Sequence, residues 1–231
     1  VIGFLLVYLI MRSILSPKIL GEFLGTCFLV MVVIGSGIMA SKLSDDELTV
    51  LLANTIATGA GLTALIWVFI SISGAHFNPA VTLVMFMKNE IQVLLMLLFI
   101  GAQISGGLLG VLLAHGMFGL DVFQISENYR GDIHTYLAEF IATFGLLMVI
   151  LGVRQFSIFA VAPAVGLYIS AGYWFTSSTS FANPAVTIAR AFTDTFTGID
   201  PEFVGPFLVA QFSGAVVASL IMGKIQSETS Q

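Results

Sequence analysis

Charge is scarce in this chain: 9% of its 231 residues are Asp, Glu, Lys or Arg, against 58% that are hydrophobic. The mean hydropathy is +1.03. A soluble domain of this length cannot hide so much apolar surface, so most of its solvent must be lipid. Cysteine occurs once, as Cys27, which excludes an intramolecular disulfide and any multi-cysteine metal site. A Ser/His/Asp arrangement, an HExxH helix and a nucleotide-cradling loop are all missing, so an enzyme is not expected, and neither a cofactor nor a metal is implied. Nothing calls for a nucleic-acid partner. The net charge of −5 says less than the distribution behind it.

Six apolar stretches are each roughly 20 residues, long enough to cross a bilayer: Ile19–Ser41, Thr49–Ser73, Ile91–His115, Thr135–Val153, Ser157–Ser178 and Phe203–Gly223. With the N-terminus inside, Arg12, Lys18, Lys88, Arg154 and Lys224 fall on the inner side. The outer loops hold Lys42, Arg130 and Arg190 and most of the acids. That Lys/Arg bias puts both termini in the cytoplasm, and the membrane is expected to be the cell membrane. Val1 to Met11 is apolar but too short to span, and reads as an interfacial helix; the alternatives are the remnant of a longer tail and a cleavable signal, though the latter lacks a basic start.

Two further segments are too short to cross. HFNPAVTL (His76 to Leu83) and FANPAVTI (Phe181 to Ile188) share an Asn-Pro-Ala triplet. Asn is a good helix N-cap, and Pro is best tolerated in the first helical turn, where its missing N–H costs nothing. Asn78-Pro79-Ala80 and Asn183-Pro184-Ala185 therefore read as two helix starts, each with its positive dipole end beside an amide side chain. Short, interrupted apolar segments at matching places in two halves point to re-entrant helices inside a bundle.

The halves repeat elsewhere too. LGEFLGTCFLVMVVIG (Leu20–Gly35) matches LAEFIATFGLLMVILG (Leu137–Gly152), aligning Glu22 with Glu139, and GAQISGGLLG matches VAQFSGAVVA, aligning Gln103 with Gln211. Three spans per half is an odd number, so the second copy must sit upside down relative to the first. The fold class is thus all-α: six transmembrane helices plus two re-entrant half-helices, in one transmembrane domain over residues 1–231, with inverted halves near 17–115 and 134–225. The half-helices should meet N-terminus to N-terminus near the midplane.

Glu22 and Glu139 are intramembrane carboxylates, which can mark a proton or cation pathway. The reading preferred here is that each accepts hydrogen bonds from the unpaired backbone of a re-entrant loop. Gln103 and Gln211 are read the same way. His76 is expected as a hydrogen-bonded pore or loop residue, not a metal ligand, while His115 and His134, at span ends, are expected to be solvated. The glycines of the first and third spans are read as helix packing.

Taken together, GEFLGT, the first HFNPAVT, AQISGG, AEFIAT, the second NPAVT and AQFSGA resemble the aquaporin, or major intrinsic protein, family over nearly the whole chain after Ser16. The resemblance implies a homotetramer of independent pores in a lipid bilayer, with Asn78 and Asn183 donating to small neutral solutes in single file. It also implies an outer selectivity filter of four positions, here Thr58, Ala171, Ser180 and Val186. The last is arginine in typical members. Val186 with three small residues opposite implies a wider, less polar ring. Arg190, one turn or about 6 Å further out, is either a displaced vestibule charge or an i,i+4 partner of Asp194, and the ion pair is favoured.

The function that follows is a passive channel for water and small uncharged solutes, such as glycerol, urea or metalloid acids like arsenite. Two converging helix N-termini, each about half a positive charge, would repel cations and hydronium. The alternatives are a strict water channel and a secondary transporter coupled through Glu22 or Glu139. A closed, structural relative is a third.

Overall fold

The computed structural model describes residues 16–229; the apolar segment Val1 to Met11 lies outside the described residues. The elements are α1 Pro17–Leu43, α2 Glu47–Phe69, α3 Pro79–Met87, α4 Val93–Phe118, α5 Ile133–Val153, α6 Val161–Phe175, α7 Pro184–Arg190 and α8 Pro201–Thr229. No strand occurs among the described residues. Helix starts follow the side chains available. Ser16 caps α1 ahead of Pro17, Asp46 accepts from Thr49 N at 2.8 Å to cap α2, and Asp132 accepts from His134 N at 2.9 Å to cap α5.

Five helices (α1, α2, α4, α5 and α8) are long and apolar enough to cross a membrane. The sixth expected span differs: Ser157–Ser178 yields a helix of 15 residues, α6, preceded by turns. Pro163 falls in the first turn of this helix, where its missing N–H costs nothing. The large apolar side chains that stay exposed, Ile56, Trp67, Leu167 and Val209 among them, are what a lipid solvent tolerates.

α1 packs on α2 and α4, α5 packs on α6 and α8, and α2 meets α6. Several of these contacts bring backbone against backbone, and two of them are equivalent in the two halves. A Cβ at Gly106 would stand 2.2 Å from the Phe23 carbonyl oxygen, and one at Gly214 would stand 2.3 Å from that of Phe140. Each half therefore closes its bundle at a glycine set against the helix that carries its glutamate. The half-helices α3 and α7 insert between these layers and touch each other.

Candidate functional site

α3 and α7 meet at their N-termini through the two asparagines. Asn78 Oδ1 accepts from Ala80 N at 2.9 Å and Asn183 Oδ1 from Ala185 N at 3.0 Å, so each amide oxygen caps its own helix. Each amide nitrogen reaches across: Asn78 Nδ2 donates to the Ala182 carbonyl and Asn183 Nδ2 to the Phe77 carbonyl, both at 2.7 Å. An amide nitrogen has two hydrogens, so one remains on each asparagine beyond the bond across.

The loops leading into these caps are strained in the same way. Ala75 and Phe77 have φ of 51° and 48°, and Ser180 and Ala182 have 53° and 47°. Left-handed backbone at non-glycine residues is costly and persists only where neighbours impose it. Here the neighbours are the two glutamates. Glu22 accepts from Ser73 Oγ (2.6 Å), His76 N (3.0 Å), Phe77 N (2.7 Å) and Gln103 Nε2 (2.8 Å). Glu139 accepts from Phe181 N and Ala182 N, both at 2.8 Å, and from Gln211 Nε2 at 2.6 Å. Both are fully buried and meet donors only. Gln103 and Gln211 then donate to Thr82 and Thr187 on the half-helices, at 2.9 and 2.8 Å. His76 Nδ1 also lies 3.1 Å from Thr82 Oγ1. No cluster of His, Cys, Asp or Glu suited to a metal occurs among the described residues.

A cavity of about 190 Å³ runs past both asparagines. Its wall reads as stripes with a step of four: Leu29 and Val33 on α1, Thr58, Leu62 and Ile66 on α2 with Ile70 just beyond, and Val81 and Met85 on α3. The second half supplies Leu146 and Ile150 on α5 continuing to Arg154, Val161, Val165, Ile169 and Tyr173 on α6, and Val186 and Arg190 on α7. A step of four nearly closes one helical turn, so each stripe stays on one face. α4 and α8 contribute nothing to the wall and serve to brace it. Glu90 and Arg154 form an ion pair at 2.7 Å at one mouth, and Arg154 Nη1 also contacts Met85 Sδ at 3.0 Å.

At the other mouth, Thr58, Ser180 and Val186 lie on the wall as counted from the sequence, but Ala171 does not. It is exposed on the outside of α6. Two residues beyond Ile169 is a rotation of about 200°, which turns Ala171 away from the stripe. Tyr173 occupies the wall instead, its hydroxyl 3.1 Å from Thr58 Oγ1. The ring is accordingly larger-walled and more polar than four small residues would make it. The step of four in Val161, Val165, Ile169 and Tyr173 was the signal available in the sequence.

The Arg190–Asp194 ion pair does not form. Asp194 Oδ1 accepts from Glu127 N at 3.1 Å, whereas Arg190 is buried on the cavity wall, donates from Nε to the Thr197 carbonyl and stacks 3.3 Å from the centroid of the Phe181 ring. Four residues of extra helix exceed a turn by little, so Arg190 shares a face with Val186 rather than with the loop beyond. His115 differs as well: it is fully buried, between the Val122 carbonyl at 3.1 Å and Thr193 Oγ1 at 2.8 Å, where it ties α4 to the segment after α7. His134 is exposed as expected.

Comparison with known proteins agrees with this geometry. A sequence model of the major intrinsic protein family matches residues 10–157. The chain is 46% identical over 208 residues to the aquaglyceroporin AqpS of Rhizobium meliloti, covering 90% of this chain and 89% of that protein. It is 30% identical over 213 residues to aquaporin TIP1-1 of Arabidopsis thaliana, covering 85% and 84%. The X-ray structure of the aquaglyceroporin from Plasmodium falciparum superposes with a TM-score of 0.70 at 26% identity, over 88% of this chain and 93% of that one. A helical bundle with two capped half-helices around a lined cavity, together with these likenesses, makes the chain a member of the major intrinsic protein family, an integral membrane channel and not an enzyme.

Proposed function

We propose that this chain conducts water and small uncharged polyhydroxy solutes, glycerol and undissociated metalloid acids such as arsenous acid included, passively and in single file. The observation that carries the reading is the makeup of the cavity wall. Apolar stripes line most of its length, and the polar side chains on the wall are the two asparagines, His76, the Glu90–Arg154 pair at one mouth, Ser180 and Arg190 at the other, and the Thr58–Tyr173 hydroxyl pair. A solute with both carbons and hydroxyls exchanges hydration for such a wall at little cost, while an ion cannot. Val186 stands where typical members have arginine, and the guanidinium at this mouth is that of Arg190, one turn along the same wall and stacked on Phe181. The aquaglyceroporin name of the relative sharing 46% of its residues points the same way.

Four parts of the reading go with it. The chain acts as one channel domain of inverted halves, about 17–115 and 134–225. It assembles as a homotetramer, with Asn78 and Asn183 as the pore donors, Thr58, Tyr173, Ser180 and Val186 around the filter, and Glu22, Glu139 and His76 supporting the loops. It lies in the cell membrane with both termini cytoplasmic. It does not couple to protons, since every oxygen of Glu22 and Glu139 is already engaged by donors that hold the loops. Stopped-flow measurement in proteoliposomes of water, glycerol, urea and arsenite tests the proposal. Fluxes of water and glycerol that rise linearly with concentration are expected. Water flux with no glycerol or arsenite flux would reduce the protein to a strict water channel, and saturable, gradient-driven uptake would make it a transporter.

A further inference from the structure

The mouth beside Arg190 has that guanidinium on its wall, a second guanidinium, of Arg130, against the same Phe181 ring, and no carboxylate paired with either among the described residues. Arg190 is 3% exposed, and beyond its Nε bond to the Thr197 carbonyl its terminal nitrogens meet no acceptor among the described residues. Arg130, from the connection between α4 and α5, approaches the same Phe181 ring at 5.0 Å and donates to the Gly198 carbonyl at 2.8 Å and the Ser178 carbonyl at 3.4 Å. The ion pairs among the described residues, His134–Asp132 and Arg154–Glu90, involve neither arginine. The carboxylates that could have served are committed: Asp194 to Glu127 N, and Glu139 to the loop before Asn183. Two like charges thus share one aromatic ring, one of them the buried Arg190, an arrangement that a counter-anion relieves.

We propose that this mouth is a binding site for a small planar oxyanion of the carboxylate type, which docks on the free terminal nitrogens of Arg190 and plugs the pore. The guanidinium fork matches a carboxylate in shape and spacing, so one such anion can take two parallel hydrogen bonds. The Thr58 and Tyr173 hydroxyls share one hydrogen bond between them, which leaves one of their two hydrogens available on the same wall. The anion stops there. Further in, the wall turns to Leu62, Ile66 and Val81, and the single free amide hydrogens of Asn78 and Asn183, with no cation beside them, do not replace the hydration an anion would have to shed. An uncharged acid of the same size carries no such penalty, so the site distinguishes a permeant acid from its blocking conjugate base.

The proposal rests on the pore reading for its flux readout only; binding itself requires no conduction. The full chain in detergent at neutral pH is melted in sodium formate, in sodium chloride of equal ionic strength and in formamide, the neutral counterpart of formate. Formate is expected to raise the midpoint saturably by about 2 °C or more, and the other two are not. Arg190→Gln should abolish the formate-specific shift, and Arg130→Gln should weaken it. In proteoliposomes with formate on both sides, glycerol efflux should fall by about fivefold in the wild-type chain, and the ratio with and without formate should return to one in Arg190→Gln. Equal shifts in formate and chloride, or a formate shift that survives both substitutions, overturn the site. If Arg190→Gln does not fold, the Arg130→Gln series decides, an unchanged formate affinity counting against. Liposomes that pass no glycerol even without formate would defeat the pore reading and leave the melting result to decide the anion site.

Discussion

Glu139→Gln is nearly isosteric, yet it should cost this protein much of its stability. In the wild-type chain Oε1 accepts from Phe181 N and Oε2 from Ala182 N and Gln211 Nε2, at 2.8, 2.8 and 2.6 Å. A glutamine presents one oxygen and one NH2 group, and the NH2 must face one of the two backbone N–H groups. The less damaging orientation keeps the oxygen toward Ala182 and Gln211 and strands Phe181 N–H. A buried, unsatisfied donor costs about 1–3 kcal/mol, and two surviving bonds that drop from charged to neutral lose about 1 kcal/mol each, for a total of about 3–5 kcal/mol. At about 2–4 °C per kcal/mol for 150–250 residues, the melting temperature should fall by roughly 6–20 °C. The function should suffer with it. Phe181 carries the stacked Arg190 guanidinium, and the Ala182 carbonyl next to it holds the amide of Asn78, so a loosened loop disturbs both the mouth and the waist. The assay is melting in detergent together with glycerol flux at a temperature where the variant remains folded. A variant that melts within about 2 °C of wild type and keeps its flux would show that the carboxylate charge is not what holds this loop.

Three further outcomes are expected. Gly106→Ala and Gly214→Ala each set a Cβ against a backbone carbonyl that cannot rotate away, so helices must part and both variants should express poorly or melt lower, whereas Gly101→Ala, which meets nothing within 4 Å, should melt as wild type. Ala171→Leu on the exposed face of α6 should leave glycerol flux unchanged, while Val186→Arg on the wall should lower it by about tenfold and spare more of the water flux; equal effects of the two would contradict the placement of the stripe. Thr49 holds Asp46, through its hydroxyl and then its backbone N–H, below the ordinary value of 3.8, so this cap stabilises α2 above that pH and the contribution disappears as pH falls through the lowered value. Asp46→Asn caps without titrating, and its melting temperature should decline less than that of wild type over that acid window.

Much of this molecule was legible before any coordinates. Low charge and six apolar stretches dictated a membrane bundle, because only helices satisfy their own backbone in lipid. The paired Asn-Pro-Ala triplets marked the half-helices, because an asparagine cap followed by proline is compatible with few other local structures. The Glu and Gln pairs announced irregular backbone in need of partners. Side-chain direction around a helix axis was harder to read. Counting from a family pattern put Ala171 on the wall, but a two-residue offset on a helix turns a side chain to the far side, and Tyr173 took the place. The i,i+4 rule favoured an Arg190–Asp194 pair that α7 precludes by ending at Arg190, which frees Asp194 to accept from the loop before α5. His115 was judged by its position near a span end, yet Thr193, distant in sequence, buries it. Local chemistry, caps and hydropathy act between near neighbours and so are written in the chain by itself. Which faces meet, and which charges are left without a counter-charge, depends on residues brought together from opposite halves, and tertiary structure alone decided it.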